Sequence, residues 1–352
     1  MHPDGMTRRE FVRGAAAAAG VAAAGPLVGQ GAAPAPSPAT DVAKTRSYHE
    51  NMEYRRLGRT GLMVSAVGIG GHVKQIPFSW NSPEFKHNRR EVLAACIDHG
   101  INYADPCGAS EVLFVAEALG RNREKMYLGF DWWGARDPHL AGDLKKMKEQ
   151  LDTGLREAKL EYVDLWRVTM REQTTRNSRQ EIETVAGALE WAKKTGKARC
   201  TGISTHHRPW IAEAVAKYPQ FEVIVTPYAA GSKEKPAGSM FDALRKHDVG
   251  LIGIKPFASG TIFKSGGTPD SATKQEDDAR ARLAIRYVLC CDVLHCTIPG
   301  LITIDQVKNA AAAVEERRQF DLAETRRLEQ MAQEMWANLP PTYHWLRDWQ
   351  WV

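Results

Sequence analysis

Apolar residues recur along this chain in two alternating rhythms. Short runs rich in Val, Ile, Leu and aromatic residues fall at 64–70, 101–105, 126–131, 162–169, 200–204, 223–228, 251–257 and 296–299. Between them, apolar positions repeat at the three-and-four spacing of an amphipathic helix over 89–99, 111–119, 144–160, 181–194, 210–217, 240–247 and 278–289. Strand-like runs alternating with helical segments predict parallel βαβ crossovers. Eight such runs predict an α/β protein closed as a (β/α)8 TIM barrel. Two more helical segments, 305–317 and 322–336, are expected to cover its outside.

That architecture directs attention to the C-terminal strand ends, where such barrels carry their sites. These ends read Gly70-Gly71-His72, Asp105-Pro106-Cys107, Asp131-Trp132-Trp133, Thr169, His206-His207, Tyr228, Lys255-Pro256-Phe257 and Gly300-Leu301-Ile302. Their polar groups are expected to converge on one binding mouth. An ion pair with Asp131 or Asp105 is the expected state of Lys255.

The first residues follow a different pattern. Thr7-Arg8-Arg9-Glu10-Phe11-Val12-Arg13 precedes a weakly apolar Ala/Gly/Val run over 14–28 and a small-residue exit near 31–33. Paired arginines, an aromatic and a short apolar run predict a twin-arginine export signal rather than a membrane anchor. The expected organisation is a signal peptide over 1–33 and a Pro/Ala-rich linker over 34–51. A barrel over 52–338 and a Trp-rich tail over 339–352 complete it; most of the tail tryptophans are expected to plug an apolar groove on the barrel, with Trp345 and Trp349 the candidates for the mouth. The expected partner during export is the twin-arginine translocase, and the destination is the periplasm or the cell exterior.

Composition narrows the class without naming a substrate. Apolar residues make up 43% and charged residues 25% of the 352 residues, ordinary values for a globular protein. The net charge of +5 is dispersed among acidic residues, so no nucleic-acid footprint is expected. No second apolar run is long enough to span a membrane. The six cysteines form no CxxC pair, which excludes zinc-ribbon and ferredoxin-like spacings.

Several blocks, in order, carry a resemblance to a known family. The opening Met52-Glu53-Tyr54-Arg55-Arg56-Leu57-Gly58-Arg59-Thr60-Gly61-Leu62 is the first. Gly100-Ile101-Asn102-Tyr103-Ala104-Asp105, Ser110-Glu111, Tyr162-Val163-Asp164-Leu165, Gly202-Ile203-Ser204 and Ile298-Pro299-Gly300 with Asn309 follow. Together they resemble the aldo-keto reductase superfamily over roughly 52–318. The resemblance implies hydride transfer between a nicotinamide cofactor, NADP, and a carbonyl. It also implies a Tyr proton donor supported by Lys, Asp and His, because a phenol near pKa 10 needs such help at neutral pH.

Here the family's pattern is altered. Asp105 matches the Asp, but Cys107 falls at the Tyr place, Asp131 at the Lys place and Thr169 at the His place. Exchanging a cation for Asp131 beside Asp105 is expected to raise one carboxyl pKa or to gather a cation. On the cofactor side, Ser204 and Thr205 stand where the family keeps Ser-Asn, and Ile254 where a Tyr stacks. Ser259 and Gly260 remain as a phosphate turn, with Asn309 for the adenine end. Leu301-Ile302-Thr303 supplies no cation for a 2′-phosphate, although Lys308 is near.

Three readings follow. The first is a divergent exported oxidoreductase in which ordinary NADPH-dependent carbonyl reduction is in doubt. The second is a barrel turned to a metal or other polar site, since Asp105, Cys107, Asp131, His72, His206 and His207 are ligand types; spacing alone assigns no metal set. The third is a binding barrel for a small flat ligand such as a carbohydrate, stacked on Trp132, Trp133 or the tail tryptophans. The substrate mouth expected under all three comprises His72, Trp132, Trp133, His206, Tyr228 and Lys255.

Overall fold

The structure is a computed structural model that describes residues 41–71, 76–132, 137–171, 177–235, 238–341 and 343–344. The signal segment, His72, Trp133, Trp345 and Trp349 lie outside the described residues. Eight parallel strands form the barrel: β3 Ile69–Gly70, β4 Tyr103–Asp105, β5 Tyr127–Phe130, β6 Val163–Thr169, β7 Ala198–Ser204, β8 Val223–Pro227, β9 Gly250–Ile254 and β10 Cys296–Ile298. Each pairs with its sequence neighbour. Parallel bridges Val67–Thr297 and Gly70–Gly300 bring the first and last together, so the ring closes.

The expected first strand, 64–70, divides in two. Its beginning belongs to a floor hairpin, β1 Tyr54–Arg56 against β2 Met63–Ser65. Only Ile69–Gly70 joins the barrel. The hairpin sends Leu57, Leu62 and Val64 up into the barrel interior, where they meet Tyr103, Leu165 and Ile252. A run apolar throughout serves both purposes, which is why the pattern did not separate them.

The helices are α1 Pro83–Asp98, α2 Ala109–Leu119, α3 Pro138–Ala141, α4 Leu144–Ala158, α5 Arg179–Lys194, α6 Arg208–Lys217, α7 Met240–Lys246, α8 Lys274–Leu289, α9 Ile304–Glu315 and α10 Leu322–Ala337. Their starts follow capping chemistry rather than the first apolar residue. Ser82 caps α1 with Pro83 next, six residues before the periodicity becomes clear. Ser178 and Glu181 form a reciprocal capping box on α5. Two large apolar clusters fill the layer between sheet and helices.

Residues 41–51, expected as part of a linker, pack against the barrel floor. The Thr45 hydroxyl donates to the Met63 carbonyl at 2.6 Å. Arg46 donates to the Met126 carbonyl at 2.7 Å and reaches Asp164 at 3.1 Å. Asp164, buried at the base of β6, also accepts from Arg123 and Arg199, each at 2.8 Å, and from the Leu128 backbone N–H at 2.9 Å. One carboxylate thus ties the N-terminal segment to three barrel strands.

A histidine near the floor makes the fold acid-sensitive. His295 Nδ1 accepts the Leu251 N–H at 2.9 Å. Burial, with Arg55 and Arg56 nearby, pushes its pKa down to about 4. An unfolded histidine titrates near 6.5, so the neutral form favours the fold. That contribution is whole above about pH 6.5 and is lost as the pH falls toward 4. The His295 share of stability should fall by about 2 kcal/mol between pH 6.5 and 4.5, measured by urea unfolding as the difference between wild type and a non-titrating variant. His295→Asn, whose amide oxygen keeps the acceptor without titrating, should lose less over the same interval. Equal slopes for the two proteins would contradict this.

Candidate active site

Strand alternation sorts the predicted mouth residues into two layers. On β5 and its extension, Phe130 and Trp132 point outward and Asp131 points inward. Trp132 is accordingly not a mouth residue: it stacks on Phe130 with ring centroids 5.8 Å apart, inside the layer under the helices. Gly154 on α4 makes room for it, since a Cβ there would lie 2.8 Å from the indole. Tyr228 likewise is not a mouth residue. It continues the outward set of Ile224 and packs beside Phe241.

The inward set forms a buried polar cluster at the top of the barrel. Asp105, Cys107, Asp131 and Thr169 do come together there, and a residue missed in the sequence joins them. Arg167, two positions before Thr169 on β6, is 2% exposed at the centre of the group. Its Nε donates to Asp105 Oδ1 at 2.8 Å. One Nη1 N–H meets Thr169 Oγ1 at 3.1 Å, and Nη1 lies 3.4 Å from Asp131 Oδ2. Nη2 reaches the Pro106 carbonyl at 3.4 Å, which leaves one of its two N–H groups without a protein acceptor among the described residues. The Thr169 hydroxyl donates to Asp131 Oδ2 at 2.7 Å, and the Cys107 thiol donates to the same oxygen at 3.5 Å.

The two carboxylates therefore gather their cation from the protein itself. Both pair with Arg167. A lone guanidinium in a mostly apolar strand, in phase with Thr169, was the available signal. Burial raises the Asp105 pKa against the opposing pull of Arg167. Burial also pushes the Cys107 thiol up to about 11, with Arg167 opposing and the Asp131 and Asp105 charges adding, so it stays protonated at neutral pH. Arg167, despite its burial, is held well above its usual pKa by Asp105.

Tyr103 sits beneath this cluster, fully buried, and donates to Asp105 Oδ1 at 3.2 Å. Burial and the Asp105 charge raise its pKa well above 10. It supports Asp105 from below and does not line the mouth. Gly129 permits the contact, because a Cβ there would collide with Asp105 and lie 2.6 Å from the Tyr103 hydroxyl.

A cavity of about 500 Å³ opens above the cluster. Asp105, Cys107 and Arg167 line one end, with Ser204, His206 and Lys255 beside them. It continues past Ser259 and Gly260 to the first turns of α8 and α9, where Lys274 and Asn309 line it. Lys255, Ala258, Ser259 and Gly260 all have positive φ, so the loop after β9 turns tightly over the trench. The Asn309 side chain donates to the Asp278 carbonyl at 2.9 Å and ties α9 to α8. His206 lines the cavity, and His207 is the N-cap residue of α6 with no side-chain cap bond. Among the described residues no three His, Cys, Asp or Glu side chains gather as a metal site. No helix among them is long and apolar enough to cross a membrane.

Comparison with known proteins adds a consistent set of relatives. The family model described as "Aldo/keto reductase family" matches residues 74–281. L-galactose dehydrogenase of Arabidopsis thaliana is 23% identical over 288 residues, covering 75% of this chain and 89% of that protein. A probable voltage-gated potassium channel subunit beta of rice, Oryza sativa subsp. japonica, is 26% identical over 235 residues, covering 62% of this chain and 69% of that protein. Among solved structures, the holo form of an aldo-keto reductase from Bacillus halodurans superposes with a TM-score of 0.61 at 22% identity, covering 80% of this chain and 96% of that one. An aldo-keto reductase from Klebsiella pneumoniae in complex with NADPH gives 0.60 at 18% identity, covering 80% and 95%.

Proposed function

The chain belongs to the aldo/keto reductase family, and from that premise we propose that it binds a nicotinamide dinucleotide along the trench and holds the reacting substrate oxygen with Arg167. The observation that carries this reading is the continuity of the cavity. One end is lined by Asp105 and Arg167, and the other by the Ser259–Gly260 turn and Asn309. A long, partly apolar trench with tight turns suits a diphosphate-linked ligand. Solved relatives carry NADPH or NADP by their own description.

When bound, such a dinucleotide supplies or accepts the hydride. The protein's own residues handle the oxygen and the proton. Arg167 has one N–H to spare, and a cation held far above neutral pKa donates a hydrogen bond without giving up its proton. Cys107 occupies the family's Tyr place as a neutral thiol, Asp131 the Lys place and Thr169 the His place. The phenol-driven reduction of the family is therefore lost in this reading. Asp105, raised by burial and lining the same end, is the group that exchanges the proton. The polar surround of Ser204, His206 and Lys255 suits a small hydroxylated substrate. The presence of a sugar dehydrogenase among the relatives supports that class.

Titrating purified protein with NADH and NADPH while following the reduced-nicotinamide fluorescence tests the core of the reading. Saturable binding below millimolar concentration is expected. Absence of binding of either would leave a small-molecule barrel without hydride transfer. We also propose twin-arginine export to the periplasm or exterior, resting on the Arg8-Arg9 pattern. A reporter carrying residues 1–40 should be exported, and Arg8→Lys with Arg9→Lys should retain it inside at least tenfold more; equal export of both would refute the assignment.

A further inference from the structure

The distal end of the trench is acidic, and the one cation that lines it among the described residues is already taken. Lys274, at the start of α8, lines the cavity there and contacts Asp278 at 2.6 Å. Asp277 and Asp278 both line the same end. Asp305 on α9 and Asp270 in the preceding loop add their fields at Lys274 and, with Asp278, raise its pKa. Three carboxylates therefore act on one ammonium. The Asp277 carboxylate accepts the Lys264 backbone N–H at 2.7 Å and the Ser265 hydroxyl at 2.6 Å. Other nearby cations are committed elsewhere: Lys264 to Glu334, and Arg280 to Glu276 and Glu334. Lys308 lies on α9 but is not part of the cavity wall. Leu301 and Ile302, which do line it, offer only apolar side chains, and the Ile302 N–H is taken by Gln306 at 2.9 Å.

A dinucleotide whose reacting ring lies by Asp105 and Arg167 must place its second nucleoside toward this end. We propose that the trench selects NAD(H) over NADP(H), because an added ribose phosphate would meet Asp277 and Asp278 with no uncommitted cation among the described residues that line that end. The physical rule is general: a carboxylate suits a ribose hydroxyl, and a phosphate of nearly two negative charges requires Arg or Lys. This selection rests on the dinucleotide reading above. It departs from the cofactor named in the Klebsiella complexes.

Calorimetric titration of the wild-type protein with NADH and with NADPH at 20 mM and 300 mM salt tests it. NADH is expected to bind at least tenfold more tightly at low salt. The gap should narrow at high salt, because the repulsion is screened while shape is not. Asp278→Asn should release Lys274 and improve NADPH binding at least threefold relative to NADH. NADPH binding as tight as NADH at low salt would overturn the selection and leave the dinucleotide reading standing. Binding of neither would overturn the dinucleotide reading and this selection together. A tenfold gap that neither salt nor Asp278→Asn changes would overturn the electrostatic origin proposed here.

Discussion

Arg167→Met is expected to cost about 3–5 kcal/mol of stability, because it strands two buried carboxylates without their shared cation. For a barrel of this size that lowers the melting temperature by roughly 10 °C. The double variant Arg167→Met with Asp131→Asn should recover part of the loss, since only one charge then lacks a partner. Arg167→Lys should fall between. A lysine keeps the charge but not the planar fork that serves Asp105, Thr169 and Pro106 together. Thermal unfolding followed by circular dichroism separates these cases. A methionine variant within 1 kcal/mol of wild type would mean that one carboxylate is already neutral without the arginine, and the charge balance drawn for the cluster would fail. Where Arg167→Lys remains folded, its weaker hold on a substrate oxygen should appear as lost turnover with dinucleotide affinity little changed.

Asp164→Ala carries the second large effect, at the opposite face. Removing the carboxylate leaves Arg46 and Arg123, both mostly buried, without their ion-pair partner there, and leaves the Leu128 N–H without its acceptor. The loss expected is about 3–5 kcal/mol. It has a local signature as well. Residues 41–51 should become open to limited proteolysis before the barrel unfolds, because Arg46 is their main polar tie to the strands. Arg46→Ala should give the same early cleavage with a smaller global loss. Cleavage of this segment at the wild-type rate in both variants would assign its retention to the Thr45 and Tyr54 contacts instead.

How much of this was legible in the chain depended on the kind of signal. Eight β-rich runs separated by helical periods were enough for the barrel, because each unit repeats the same burial pattern. Positions within a unit were harder. Trp132 and Tyr228 fall at the ends of their β-rich runs, where a mouth residue is expected, yet one step along a strand reverses the side chain's direction. Counting parity from Phe130 and Ile224 puts both among the helices, where they lie. Arg167 was overlooked because the Lys place was sought at a fixed strand end, on Asp131. A cation can reach the same point from the next strand over, and only the three-dimensional register of β5 with β6 brings Arg167 to Asp105 and Asp131. Residues 41–51 show no hydropathy signal because their ties are polar contacts to residues up to 118 positions away, and hydropathy leaves no trace of such contacts.

The floor position of Thr45 and Arg46 also decides from which side the polypeptide enters the barrel. It does so on the face opposite Asp105 and the trench. A dye, affinity handle or solid support joined ahead of residue 41 would therefore hold the protein with its opening turned outward. Shortened versions that begin beyond Arg46 would sacrifice the Asp164 tie for no gain in access.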